Sequence, residues 1–310
     1  MKWNLVILLL LLVACKENQS TVQVKEPEVG LIAQQAMVVS AREEASRIGS
    51  NIMQKGGNAF DAMVATEIAL ALTYPNAGNL GGGGFVVYRT QFGELGAFDY
   101  REKAPMKAYR NMYLDEEGNV IKDKSVIGGM AVAVPGTIAG IFAVHAKLGS
   151  LPMEELLEPV IELARKGYVV TEKEAAIWEK FGSIILIVND EESIYTRNYK
   201  PGDTIRNLAL ANTLERISEE GEYDFYQGET ARILIEFIKS KGGIISSEDL
   251  KAYEALLREP VVFEYKDLRL ISMSPPSSGG IVLAQMMKSV EGYPLKKYGH
   301  NSVKAIQLLT

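Results

Sequence analysis

A chain of 310 residues, 47% hydrophobic and 23% charged, has the composition of a globular protein with one large domain or two modest ones. Its net charge of −6 argues against a sequence-independent grip on nucleic acid, which works by neutralising phosphates. Two histidines far apart, His145 and His300, and a single cysteine, Cys15, leave no expectation of a metal centre or a disulfide framework.

At the N-terminus, Lys2 precedes a short apolar run, Leu5 to Val13. That run is too short for a mature membrane span and reads as a secretory signal. It ends in Leu12-Val13-Ala14-Cys15, which resembles the lipobox of bacterial lipoproteins. The resemblance implies that residues 1–14 are removed and that Cys15 becomes a lipidated first residue. The protein would then be exported to the periplasm or cell surface and lipid-anchored to a bacterial membrane. A plain signal peptide with a chance cysteine is the alternative. Residues 15–29 are polar and aperiodic, a flexible tether, and residues 30–310 form the remaining domain.

Met37 to Ser40 is a candidate strand, and Ser40-x-x-Glu43 a capping box. Ala45, Ile48, Gly49, Ile52 and Met53 stripe one helix face, and Gly56-Gly57 ends that helix. Asn58 caps the next helix, with Asp61 in its first turn. It is apolar nearly all round, hence buried, and stops before Pro75. Phe85 to Arg89 and Leu95 to Tyr100 read as a hairpin, and Pro135-Gly136 opens a helix of small residues. Further helices are expected near 153–166, 171–182, 207–220, 229–241 and 247–254, with Thr171-x-x-Glu174 as one start. Val261 to Tyr265 and Leu268 to Met273 make a second hairpin, and Pro275-Pro276-Ser277-Ser278-Gly279-Gly280 leads into a final buried helix. Asn301 is a candidate N-cap for a helix with Val303, Ile306 and Leu309 on one face, which runs into Thr310 without a stop signal. Strands toward both ends with helices between make an α+β arrangement.

Four glycines, Gly81 to Gly84, stand directly against a strand. Each forgoes roughly 0.5–1 kcal/mol relative to alanine in a regular element, so something must need the bare backbone. A phosphate cradle lacks its usual companions, since no G-x-x-x-x-G-K-[ST] or G-x-G-x-x-G pattern is present. What remains is a turn where two backbones touch, or a pocket wall lined by peptide groups. Arg101 follows in Asp99-Tyr100-Arg101-Glu102-Lys103-Ala104-Pro105, just past a strand end. A guanidinium there suits a planar, two-pronged grip on a carboxylate; a surface ion pair with Glu102 or Asp99 is the plainer reading. Ser277 and Ser278 could donate to an oxyanion or simply turn the chain, and no G-x-S-x-G elbow accompanies them.

Taken in order, Gly56-Gly57-Asn58-Ala59-Phe60-Asp61-Ala62, Asn76 to Phe85, Asp99 to Pro105, Val134-Pro135-Gly136-Thr137-Ile138-Ala139-Gly140 and Met273 to Gly280 resemble the large subunit of the γ-glutamyltransferases, also called γ-glutamyltranspeptidases or glutathione hydrolases. The resemblance runs from about Ala36 to Thr310. It implies an N-terminal-nucleophile hydrolase with an αββα sandwich, incomplete here without the C-terminal small-subunit part. In such enzymes the precursor cuts itself, and the new N-terminal threonine of the small subunit attacks a γ-glutamyl amide. The γ-glutamyl ester passes to water or to an amino-acid or peptide acceptor. A free α-amine beside the hydroxyl can serve as base, so no cofactor or metal is implied. By the same resemblance Arg101 clamps the α-carboxylate of the γ-glutamyl group. The glycine run would let two sheets and the substrate approach closely. The nucleophile is not among these residues, and Thr310 stands in no matching context, so no catalytic residue is assigned in this chain. The implied partners are a small subunit from the same precursor, glutathione or other γ-glutamyl compounds, and a membrane through the lipid anchor. A cephalosporin or glutaryl acylase on the same scaffold and a non-catalytic surface lipoprotein are the rival readings.

Overall fold

The computed structural model describes residues 30–189 and 192–310. The signal segment, the lipobox and Cys15 lie outside the described residues. Contacts divide the chain into two units, Met1–Ala36 and Met37–Thr310, and the described part of the first, residues 30–36, carries no regular secondary structure. Everything below concerns the second unit.

Its N-terminal helices are α1 (Glu43–Gln54) and α2 (Ala59–Thr73). Helix α1 starts later than the Ser40 capping box implied. Arg42 is its N-cap residue, while the Ser40 hydroxyl hydrogen-bonds Ser46 Oγ and the Arg42 carbonyl. The local signal lost because the Arg42 guanidinium is buried and paired with Glu44 and Glu174, which fixes the chain at residue 42. Met37 to Ser40 is accordingly extended but belongs to no strand. Helix α2 is built as expected: the Asn58 side chain accepts from Phe60 and Asp61 N–H, and Asp61 Oδ2 accepts from Asn58 N–H at 2.7 Å. Val64, Ala65, Ile68, Ala69 and Leu72 are all essentially solvent-free, so this helix is the centre of the main core. Each fully buried aliphatic side chain of that size contributes about 1.5–3 kcal/mol.

The hairpin of β1 (Phe85–Arg89) and β2 (Leu95–Asp99) pairs Phe85 with Asp99 and Arg89 with Leu95. A third strand, β5 (Leu256–Arg258), which sequence periodicity did not flag, joins β2 to give the order β1-β2-β5. Phe60 and Met63 of α2, with Ala143 and Val144 of α3 (Thr137–Leu148), pack against Val86, Tyr88 and Phe98 on one face of this sheet. Val87 and Leu256, on the other face by register, are exposed.

The helical middle comprises α4 (Met153–Lys166), α5 (Glu172–Asn189), α6 (Leu208–Glu220), α7 (Glu222–Tyr226), α8 (Glu229–Ser240) and α9 (Ser247–Lys251). Two-residue strands β3 (Tyr168–Val169) and β4 (Thr204–Ile205) pair between them. Thr171 and Glu174 do form the expected capping box. Helix α5 runs past the expected end at 182, because Ile184 to Val188 offers no breaker.

The last elements are hairpin β6 (Val261–Tyr265)–β7 (Leu268–Ser272) and helices α10 (Gly279–Val290), α11 (Leu295–Tyr298) and α12 (Val303–Leu309). The expectation that α10 is buried fails. Only Gly280 is fully covered, while Ile281, Val282, Leu283 and Met286 are exposed. Helix α10 rests on one narrow hairpin, which covers one side of a helix that is apolar on more than one. Asn301 is not a cap either. It adopts a positive φ of 53°, and Ser302 takes the cap by accepting from Ala305 N–H. The α+β class expected from sequence is the class observed, helices with small antiparallel sheets.

Candidate functional site

Strand β2 delivers the chain to Tyr100, and Tyr100 extends the ladder by one step. Its N–H donates to Gly84 O at 3.1 Å and its carbonyl accepts from Gly84 N–H at 3.3 Å. The Tyr100 ring lies between two glycines: a Cβ on Gly84 would stand 2.6 Å from it, and one on Gly140 of α3 only 2.2 Å. Its hydroxyl reaches both oxygens of Glu67, in the middle of α2, at 3.1 Å.

The rest of the glycine run is closed by the protein's own chain. Gly82 N–H donates to the Asn79 side chain at 2.8 Å, and Gly82 O accepts from Gly136 and Thr137 N–H at 2.7 and 3.1 Å. Those two N–H groups open α3 and have no partner within the helix, so the glycine carbonyl satisfies them. A Cβ on Gly83 would sit 2.5 Å from Tyr100 O and 2.8 Å from Glu102 N. Gly81 alone has open space around it. The bare backbone is thus required by a strand exit and a helix start, and not by the two packed sheets that the resemblance suggested.

Arg101 emerges from this corner. Its N–H donates to Asp99 Oδ1 at 3.1 Å, and its carbonyl accepts from the Tyr253 hydroxyl at 2.7 Å. The side chain is 58% exposed. The guanidinium carbon lies 5.7 Å from the Phe85 ring centre, and Nε is 3.5 Å from Glu102 Oε2. Of the two ion pairs considered from sequence, the one with Glu102 forms, while Asp99 is taken by Arg258 at 2.8 and 3.1 Å. The two terminal nitrogens of Arg101 make no hydrogen bond or ion pair among the described residues, which leaves a planar fork for an incoming carboxylate.

Beside this fork lies a cavity of about 640 Å³, lined by Gly83, Gly84, Phe85, Tyr100 and Glu67 together with residues 37–41. Burial pushes the Glu67 carboxyl up to about 7, although the Tyr100 hydroxyl pulls the other way. Burial first, then the neighbouring Glu67, raises the Tyr100 phenol. The contrast with Asp61, two turns earlier on the same helix, is physical. Burial works against the Asp61 charge too, but donors from Ser150, Asn58 and Leu151 hold its carboxyl below the usual range. Sequence reasoning missed Glu67. Its signal was present: it is the one carboxylate in the interior of a helix otherwise apolar from Ala62 to Leu72.

A second cavity, about 690 Å³ and largely apolar, lies against Trp178, Phe181, Tyr195 and Leu80. It brings together no titratable cluster, and the chemistry belongs at the Arg101 corner. Ser277 Oγ accepts from Gly279 N–H at 3.2 Å and so serves the turn into α10; Ser278 is the α10 N-cap without a side-chain bond. His145 binds the Leu151 carbonyl through Nε2. Among the described residues no group of three or more His, Cys, Asp or Glu is arranged to hold a metal ion.

The gamma-glutamyltranspeptidase family model matches residues 45–310. The chain belongs to the gamma-glutamyltranspeptidase family. A glutathione hydrolase proenzyme from Escherichia coli is 41% identical over 282 residues, 89% of this chain and 48% of its own length. The gamma-glutamyltranspeptidase of Helicobacter pylori superposes with a TM-score of 0.87 at 38% identity, covering 91% of this chain and 82% of that one. The Bacillus anthracis transpeptidase CapD gives 0.74 at 28% identity, covering 89% of each. The chain spans about half the length of the curated relatives it matches. Its fold is that of the N-terminal-nucleophile hydrolases, and family membership accounts for the ordered motifs around Gly81–Gly84 and Arg101. No helix among the described residues is long and apolar enough to cross a membrane.

Proposed function

We propose that this chain forms the substrate-holding part of an exported γ-glutamyltranspeptidase acting on glutathione and other γ-glutamyl amides. Arg101 grips the α-carboxylate of the γ-glutamyl group. A threonine at the N-terminus of a small subunit, cut from the same precursor, attacks the γ-carbonyl. The amide C–N bond breaks, the amine leaves with a proton, and a γ-glutamyl ester remains until water or an amino-acid or peptide acceptor takes the acyl group. Cys15 carries a lipid that holds the enzyme at a bacterial membrane. The observation that carries the reading is the open guanidinium fork of Arg101 beside a glycine-walled cavity.

Charge-assisted hydrogen bonds are worth roughly 1.5–3 kcal/mol, or about ten- to a hundredfold in binding. Arg101→Lys in the whole natural gene product should raise KM for L-γ-glutamyl-p-nitroanilide by about that factor, with a smaller change in kcat. An unchanged KM sinks the assignment. Fractionating the same cells tests the anchor, since Cys15→Ser should move the enzyme out of the membrane fraction. A relative named acylase ACY 1 proenzyme is 33% identical over 92% of this chain, so a glutaryl anilide belongs in the assay; faster turnover of it than of the γ-glutamyl anilide would favour an acylase.

A further inference from the structure

A guanidinium on a flexible side chain reads a carboxylate well only if its own backbone is held still, because binding otherwise spends affinity on ordering it. The Arg101 peptide is held from both sides, by residues remote in sequence. On one side Asp99 Oδ1 accepts the Arg101 N–H, and Asp99 Oδ2 is gripped by Arg258 Nε and Nη2 from β5 at 3.1 and 2.8 Å. On the other side Tyr253, two residues past α9, donates its hydroxyl to the Arg101 carbonyl at 2.7 Å. Both holders are buried, Asp99 at 6% and Tyr253 at 7% exposure, while the Arg101 side chain they carry is open.

Tyr253 is itself fixed. Its ring stacks on Tyr226 with 5.9 Å between centroids and 6° between planes, and Lys103 Nζ lies 4.7 Å from its ring centre. The hydroxyl passes over Gly136, where a Cβ would come within 2.0 Å of it. A glycine of the helix-opening Pro-Gly pair therefore gives the phenol its path to the Arg101 carbonyl. We propose that Tyr253 and the Asp99–Arg258 pair are positioning residues for the carboxylate-binding Arg101, acting on substrate only through its backbone. This rests on the carboxylate role of Arg101 proposed above.

The test is a double-mutant cycle in the whole gene product. A neutral hydrogen bond contributes about 0.5–1.5 kcal/mol, so Tyr253→Phe should raise KM for the γ-glutamyl anilide by about three- to tenfold, with kcat held within about twofold. In an Arg101→Lys background the same change should add less than about twofold, because the group being positioned is already lost. Arg258→Met should behave like Tyr253→Phe, and Arg258→Lys should restore part of the loss. Equal factors in both backgrounds would mark a merely structural role and overturn the inference, as would a KM that Tyr253→Phe and Arg258→Met both leave alone. If Arg101→Lys weakens capture while Tyr253→Phe does not, the inference alone falls. If the unsubstituted enzyme fails to turn over the anilide, the carboxylate reading falls and takes this one with it.

Discussion

Two glycine-bearing turns, Gly81–Gly84 and Ser277–Gly280, look alike in sequence and have opposite surroundings. At the first, a strand exit, a helix start and an aromatic ring close on the backbone, and the turn delivers Arg101 with its peptide clamped on both sides. At the second, Gly279 meets only Ser277 Oγ at 3.3 Å, and the helix that follows leaves Ile281, Val282, Leu283 and Met286 exposed. Glycine marks a place where something comes close, and apolar periodicity marks a face that something covers. Neither says which partner does so, since that depends on residues distant in the chain.

The comparison is broken most severely at Gly83. Gly83→Val would force a side chain into Tyr100 O and Glu102 N, backbone atoms that cannot swing aside. We expect a loss of at least about 3 kcal/mol, read by urea denaturation, and little soluble protein. Near-normal stability would show that the corner is not closed as described. Next in size is Glu67, which ties the Tyr100 side of the corner to α2. Its carboxyl is raised from 4.5 to about 7 in the folded state, so the folded state holds a proton that the unfolded chain releases. Its favourable contribution is fully present below pH 4.5 and is lost as pH rises through about 7. Glu67→Gln should therefore flatten the fall in thermal stability across that window and be the more stable form at pH 8, by up to a few kcal/mol. Identical pH profiles for the two proteins would contradict this. The smallest effect belongs to Gly81, which has nothing within 4 Å and no positive φ. Gly81→Ala should stay within about 0.5 kcal/mol of the parent in the same denaturation experiment, which would separate one glycine of the run from its neighbours.

The parts legible in the sequence are those decided within a few residues. Asn58 and Asp61 form their reciprocal cap because both partners lie within one helical turn. Hairpins β1–β2 and β6–β7 follow from alternation and their turns. The same locality misleads at Ser40, where the pairing of Arg42 with Glu174, far along the chain, outweighs a local capping pattern. It misleads again at Asn301, where a neighbouring serine takes the cap. Strand β5 escaped notice because three residues carry no period, and its place comes from pairing with β2.

For the site, the order of the motifs alone pointed to the family and to Arg101 as the residue meant to meet a carboxylate. Only the tertiary structure decided what surrounds that arginine: that Asp99 is claimed by Arg258 rather than by Arg101's side chain, that Tyr253 reaches it across Gly136, and that Glu67 sits half-neutral beside Tyr100. Hydrogen bonds and charges act over a few ångströms of space, whatever the number of residues between the partners. A sequence therefore specifies which groups are available, and folding determines which of them meet.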